Sequence, residues 1–110
     1  MKGQEHLNKP EQFAIVYNKG SSFADRLMVL KAMPNGLEFS RYGISVSKRV
    51  GNAVVRNRLK RLLREILRVT SLRPGWDIIL IVRGTAAASD YHKLKLSVEG
   101  LLSRAHMLAR

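Results

Sequence analysis

The sequence predicts an α+β fold, in which a small, mostly antiparallel sheet packs with three helices as a two-layer sandwich. Apolar residues recur at helical spacing in three segments, and elsewhere they alternate or run continuously over strand lengths. A chain of 110 residues, 45% of them hydrophobic, can bury one modest core. We therefore expect a single domain over residues 1–110, with a flexible N-terminus over residues 1–8. The expected order is helix, two strands (a third left open), helix, strand, helix.

The first helix is predicted to begin near residues 9–11 and to stop near Gly20. Proline and glutamate are favourable in a first helical turn, and glycine is common just after a helix end. Phe13 and Tyr17 are four residues apart, so they share one face of this helix. They are either two core aromatics or a partly exposed platform on which nucleic-acid bases stack.

Two strands are predicted next, over residues 23–33 and 37–47, and Pro34-Asn35-Gly36 is a strong turn signal between them. In the second strand an apolar set alternates with a small polar set, which indicates one buried face and one accessible face. The apolar set is Tyr42, Ile44 and Val46, and the other set is Arg41, Gly43, Ser45 and Ser47. We predict a hairpin over residues 23–47.

The central helix is predicted from Val54 to Val69, with Asn52 as its N-cap. The stretch from Ser47 to Val69 holds eight of the 20 Lys and Arg residues against one acid, Glu65. One arc of the helix is apolar and consists of Val55, Leu59, Leu62, Leu63, Ile66, Leu67 and Val69. The opposite arc consists of Asn57, Lys60, Arg61, Arg64 and Arg68, with Arg56 and Arg58 on the shoulders. The pattern is that of an amphipathic helix with a cationic face.

The remaining elements are a strand and a helix. Residues 76–82 (WDIILIV) are almost wholly apolar, which predicts a strand covered on both faces, with Trp76 filling the core at its end. Ser89 and Asp90 resemble the cap of a last helix that continues to about Met107. Its predicted core stripe is Leu94, Val98, Leu101, Leu102 and Ala105.

Charge and composition narrow the class of function. A net charge of +12 points to a polyanionic partner, either a nucleic acid or an anionic membrane. There is no apolar run of membrane-spanning length, no signal-peptide pattern and no cysteine, so we expect a cytoplasmic protein without disulfides or a thiolate nucleophile. The three histidines and eight acids show no metal-ligand spacing and no catalytic pair. Taken alone, the sequence describes a binding module.

The cationic face of the central helix has a plain explanation, since most charge runs are simply solvated. Here, however, Lys60 faces Arg64 and Arg64 faces Arg68 at a spacing where like charges repel, and only Glu65 could relieve them. The excess of arginine also suits bidentate phosphate contacts. Nucleic-acid binding is therefore the preferred hypothesis, and a structural RNA-binding protein such as a small ribosomal protein is its alternative. A membrane-surface helix is disfavoured because the apolar arc has no Trp or Phe.

The run from Gly43 to Arg61 (GISVSKRVGNAVVRNRLKR) resembles the signature of the bacterial ribonuclease P protein component, and its Arg-Asn-Arg motif falls at residues 56–58. The resemblance extends from Leu7 to Leu108. It implies a subunit of the ribonucleoprotein that removes the 5′ leader of precursor tRNA, with catalytic groups and Mg²⁺ held mainly by the RNA. It also implies that the protein alone binds no cofactor and that the β-α-β crossover is left-handed, against the usual rule.

The charge pattern and the resemblance together assign two surfaces, for the catalytic RNA and for precursor tRNA, with no protein partner required. The expected RNA-binding residues are Lys48, Arg49, Asn52, Arg56, Asn57, Arg58, Lys60, Arg61, Arg64 and Arg68. The cleft expected to hold the leader consists of Phe13, Tyr17, Lys31, Ser45 and Ser47. Lys31 stands where the family often has an aromatic residue, and His6 aligns with an often basic one.

Overall fold

The structure, a computed structural model, describes residues 4–109. Within these residues the fold has five strands and three helices. The strands are β1 (Gln4–His6), β2 (Ser21–Ala24), β3 (Met28–Pro34), β4 (Ser40–Ser45) and β5 (Trp76–Val82). The helices are α1 (Pro10–Lys19), α2 (Ala53–Val69) and α3 (Tyr91–Arg104), with a single 3₁₀ turn at Gly84–Ala86. The α+β class with three helices is thus confirmed.

The strands form one sheet in the order β1-β4-β5-β3-β2. The β2–β3 and β3–β5 pairs are antiparallel, whereas the β4–β5 and β1–β4 pairs are parallel. The sheet is therefore mixed, not mostly antiparallel as predicted. Strand β4, helix α2 and strand β5 form a parallel β-α-β unit, and the left hand of its crossover stays a prediction.

The predicted hairpin over residues 23–47 is wrong, because β5 lies between β3 and β4 and pairs with both. Strand β5 is almost wholly buried, so the centre of the sheet is the favourable place for it. The predicted strand over residues 23–33 is also divided into β2 and β3 by a turn at Asp25. One carboxylate oxygen of Asp25 accepts hydrogen bonds from the backbone N–H groups of Leu27 and Met28, at 2.9 and 3.0 Å.

The N-terminus also differs from the prediction of a flexible segment over residues 1–8. Residues 4–6 form β1 in parallel with residues 40–42 of β4. The backbone N–H of Leu7 donates to the Tyr42 carbonyl at 2.8 Å, and the Leu7 side chain is buried. Residues 1–3 lie outside the described part of the chain.

The sheet has helices on both faces, so the two-layer description needs correction. Side chains of α2 and α3 form the larger core with one face of β3 and β5, which includes Leu30, Ile78 and Leu80. A smaller cluster on the opposite face joins Val16 of α1 to Ile79 and to residues around it. One short helix cannot cover that face, so part of it stays accessible beside α1.

The helix starts follow the predicted signals closely, whereas α3 ends at Arg104 and not near Met107 as predicted. Asn52 caps α2 and Asp90 caps α3, each by accepting a hydrogen bond from a backbone N–H of the first turn. Of the predicted apolar arc of α2, four residues are buried, Val55 and Leu62 are partly buried against the core, and Val69 is exposed. None of the helices within residues 4–109 is long and apolar enough to cross a membrane.

Candidate nucleic-acid interface

One face of α2 is a row of polar and cationic side chains that points away from the core. We call it the outer row, and it consists of Asn57, Lys60, Arg61, Arg64 and Arg68. The three arginines are exposed. Within residues 4–109, no side chain of this row has an ion pair or a hydrogen-bond partner, and neither has Glu65. The cationic charge of this face is therefore available to a ligand.

The two arginines on the shoulders of α2 are placed differently. The Arg56 Nε donates to the Gly51 carbonyl at 3.2 Å. The Arg58 guanidinium reaches the loop before α3, where Nη1 donates to the Ala87 carbonyl at 3.4 Å and Nη2 donates to the Ser89 carbonyl. Both side chains are half-buried. The predicted contacts of these two side chains with RNA would therefore use the guanidinium nitrogens that form none of these hydrogen bonds.

The entry to α2 lies beside these residues. The Asn52 side-chain oxygen accepts a hydrogen bond from the Val55 N–H at 3.0 Å, so the predicted cap is confirmed. Lys48 and Arg49 are exposed in the turn that leads into the cap, and Val50 between them and the helix is buried. The helix dipole and these two cations add at the same place, which makes the entry attractive to phosphate.

The residues predicted to hold a leader lie on the accessible face of the sheet beside α1. Lys31 on β3 and Gly43 on β4 flank Ile79 in the sheet register, so all three side-chain positions share the α1 face. Ser45 lies beside Ile81, two residues further along the same face. Ser47 is exposed in the segment between β4 and α2. The structure thus brings the strand residues of the predicted cleft to one side of the sheet.

The two aromatic residues of α1 have different environments. The ring of Phe13 lies so close to Gly43 that a Cβ added there would be 2.5 Å from the Phe13 Cζ, and Phe13 packs against the cluster around Val16. Tyr17, one turn later, is 36% exposed. Phe13 is thus partly a core residue, whereas Tyr17 has the exposure that a stacking platform needs.

The aspartates of the described region have structural partners. The Asp77 carboxylate accepts two hydrogen bonds from Arg41, at 2.8 Å from Nε and 2.6 Å from Nη2, and a third from Asn35. Asp25 and Asp90 bind backbone N–H groups, and the bond from the Lys93 N–H is the main reason that the Asp90 pKa lies below its usual range. No group of three His, Cys, Asp or Glu side chains within residues 4–109 could hold a metal ion.

One contact beside the outer row was not predicted. The His6 Nε2 lies 2.8 Å from the Tyr42 hydroxyl, within hydrogen-bond distance. Burial raises the pKa of Tyr42, although the charges of Arg64 and Arg68 act in the opposite direction. The alternation of apolar and polar residues predicted that Tyr42 is buried. Because 36 residues separate Tyr42 from His6, the sequence did not show that the two side chains meet.

Comparisons with known proteins agree on one family. The family model described as Ribonuclease P matches residues 1–106. The ribonuclease P protein component of Caldanaerobacter subterraneus is 47% identical over 100 residues, which cover 89% of this chain and 86% of that protein. The protein of the same name from Dehalococcoides mccartyi is 44% identical over 110 residues, which cover 100% of this chain and 92% of that protein.

Solved structures give the same result for the fold. The Staphylococcus aureus RNase P protein has a TM-score of 0.86 and 35% identity, with 94% of this chain and 97% of that chain covered. The RNase P protein from Thermotoga maritima has a TM-score of 0.83 and 30% identity, with 90% and 96% covered.

Proposed function

This chain belongs to the ribonuclease P protein family and is the protein component of an endoribonuclease that acts with an RNA partner in tRNA 5′-end maturation. On that premise we propose which RNA each surface of the protein binds. The outer row of α2 binds the catalytic RNA. The surface beside α1 binds the single-stranded 5′ leader of precursor tRNA. The RNA holds the catalytic groups and most of the Mg²⁺, and the complex works in the cytoplasm without a further protein partner.

The observation that carries this proposal is the unpartnered charge of the outer row. Lys60–Arg64 and Arg64–Arg68 lie at the spacing where like charges repel, and each pair destabilises the helix by a few tenths of a kcal/mol. Glu65 does not relieve them, because it forms no ion pair within residues 4–109. The phosphates of an RNA strand would attract these side chains and offset the repulsion between them.

The surface beside α1 suits single-stranded RNA. Tyr17 is exposed for stacking, and stacking on an aromatic ring tolerates any base. Lys31 supplies a charge on the same side of the sheet, and the hydroxyl of Ser45 can donate to a phosphate or a base. Phe13 closes one side of this surface by packing on Gly43.

The assignment of catalysis to the RNA is supported by what the three aspartates within residues 4–109 already do. Asp77 is held by Arg41 and Asn35, Asp25 binds backbone N–H groups and the Ser97 hydroxyl, and Asp90 caps α3. A carboxylate that acts as a base or binds a metal must present free oxygens to the substrate. These three instead stabilise turns, strands and helix ends.

The experiment that tests the proposal is single-turnover cleavage of a precursor tRNA by a bacterial ribonuclease P RNA at low magnesium, with and without this protein. We expect the protein to stimulate cleavage markedly. Its positive charge should reduce the magnesium needed to screen the repulsion between the catalytic RNA and precursor tRNA. Stimulation should be lost in an Arg61→Ala, Arg64→Ala variant. It should survive in the matched control Lys93→Ala, Lys95→Ala, which removes the same charge from α3. No stimulation despite tight RNA binding would overturn the proposal.

A substrate comparison in the same assay tests the leader surface. Tyr17→Ala should weaken the binding of precursor tRNA by roughly five- to tenfold, the effect of one lost stacking contact, and leave mature tRNA unaffected. Equal losses for precursor and mature tRNA would show that Tyr17 does not contact the leader.

A further inference from the structure

A groove runs along the edge of the sheet where β1, β4 and α2 meet. His6 stands exposed at its rim, while Tyr42 beneath it is buried. Their ring centroids are 4.7 Å apart, at an interplanar angle of 56°. The hydrogen bond between the His6 Nε2 and the Tyr42 hydroxyl fixes the imidazole over the groove.

The groove is continuous with both surfaces already described. Its middle section, about 370 Å³, is lined by the aromatic pair and by Arg61, Arg64, Glu65 and Arg68 of α2. Towards α1, a smaller section of about 190 Å³ includes Phe13, Gly43 and again Arg64. His6 and Tyr42 line both sections, so the pair stands between the outer row and the surface beside α1.

The charge of the groove favours an anion. Three arginines and one glutamate line the middle section, and none of these four has an ion-pair partner within residues 4–109. Tyr42 is a neutral phenol, since burial raises its pKa against the influence of Arg64 and Arg68. Its hydroxyl therefore acts as a hydrogen-bonding anchor for His6 and adds no negative charge.

The shape and chemistry together match one nucleotide of an unpaired strand. Arginine forks bind phosphate oxygens in pairs, so Arg64 and Arg68 suit the phosphate. The exposed imidazole face of His6 suits an unstacked base, because histidine is among the side chains on which single-stranded RNA bases stack. A base inside a duplex is stacked between its neighbours and offers no free face to this ring.

We propose that His6, Arg64 and Arg68 form a subsite for one unpaired RNA nucleotide, with Tyr42 as the positioning residue that holds His6. This inference rests on the proposed function, because it treats the outer row as an RNA-binding surface. The nucleotide belongs to the 5′ leader or to an unpaired part of the catalytic RNA. The chemistry is the same in both, and the experiment separates them.

The test compares His6→Ala, His6→Phe and Tyr42→Phe, with His92→Ala as the matched control because His92 is an exposed histidine on α3. Two probes are used: the ribonuclease P RNA alone, and precursor tRNAs with a single-nucleotide or a long leader bound to the assembled holoenzyme. We expect His6→Ala to weaken one of these interactions about five- to tenfold, while His6→Phe, which keeps a ring but loses the hydrogen bond to Tyr42, should lose only about two- to threefold.

The two sources of the nucleotide give different results. A loss confined to the long-leader substrate identifies the leader, and a loss in binding to the RNA alone identifies the catalytic RNA. Tyr42→Phe should weaken the same interaction by about two- to threefold, and this loss should vanish in a His6→Ala background. That coupling would not arise if Tyr42 only filled the core.

Normal binding of all probes by His6→Ala would overturn the subsite, as would a His6→Phe variant as weak as His6→Ala. An Asn57→Ala, Lys60→Ala variant distinguishes failure of the subsite from failure of the proposed function, because both residues belong to the outer row and neither lines the groove. If that variant binds the RNA weakly while the His6 variants bind normally, only the subsite fails. If it binds the RNA as the parent does, the role of the outer row fails.

Discussion

Helix α2 carries two sets of arginines that share a sequence segment but differ in their surroundings. Arg56 and Arg58 on the shoulders donate hydrogen bonds to backbone carbonyls of the protein itself. The arginines of the outer row are exposed and have no ion-pair or hydrogen-bond partner within residues 4–109. Charge density alone therefore does not show how many guanidinium groups are free of the protein, because some of them donate hydrogen bonds to its own backbone.

The two sets also affect stability in opposite directions. A hydrogen bond from a charged donor to a carbonyl contributes about 1.5–3 kcal/mol, and less where water competes for the donor. Repulsion along the outer row costs a few tenths of a kcal/mol for each pair. The shoulder arginines should thus support folding, and the outer-row arginines should slightly oppose it until RNA binds.

The largest expected effect is on RNA affinity. Arg61→Ala, Arg64→Ala should weaken binding to the catalytic RNA by about 30-fold at physiological salt and reduce the slope of log affinity against log salt by at most about 1.8. Arg56→Ala, Arg58→Ala removes the same charge and should have a clearly smaller effect on that slope. Titrations at several salt concentrations measure both. Equal slopes for the two double variants would remove the distinction between the sets.

A smaller effect is expected on folding, where replacing a shoulder arginine should cost more stability than replacing an arginine of the outer row. Arg58→Ala should lower the free energy of unfolding by about 1–2 kcal/mol, because the carbonyls of Ala87 and Ser89 lose a charged donor. Arg58→Lys should recover little of this loss, since an ammonium has no fork to span two carbonyls. Arg64→Ala should be neutral or slightly stabilising, because it removes both repulsive pairs of the outer row. Urea denaturation measures these changes, and a loss in Arg64→Ala as large as in Arg58→Ala would contradict the assignment.

Local patterns predicted the elements that carry their own signals. The periodicity of α2, the Asn52 and Asp90 caps and the continuous apolar run of β5 all appear in the structure at the predicted places. The position of Arg56 and Arg58 on the shoulders of the helical arc also anticipated their partial burial. Each of these features depends on residues that are close in sequence.

The features that could not be predicted depend on residues far apart in sequence. The turn at Asn35-Gly36 is real, with a positive φ of 73° at Gly36, but a turn cannot show that β5 will enter between the strands on either side of it. Arg58 meets carbonyls 29 and 31 residues away. The shoulder position of Arg58 on the helical arc anticipates its partial burial, but only the fold shows which carbonyls it meets.

The smallest effect concerns the loop that Arg58 holds, which ends at the Asp90 cap of α3. The Asp90 pKa lies below its usual range in the folded protein, chiefly because the carboxylate accepts the Lys93 N–H. Its stabilising contribution is therefore complete above the unfolded-state pKa of about 4 and is lost as the pH falls through the lower folded-state value. The thermal unfolding temperatures of Asp90→Ala and the parent protein should differ at pH 7 and converge in acid.

Asn52→Ala is the matched control. Because an uncharged amide caps α2, the loss of stability in this variant should not depend on pH. A pH-independent deficit in Asp90→Ala would show that the charge of Asp90 does not contribute to the cap.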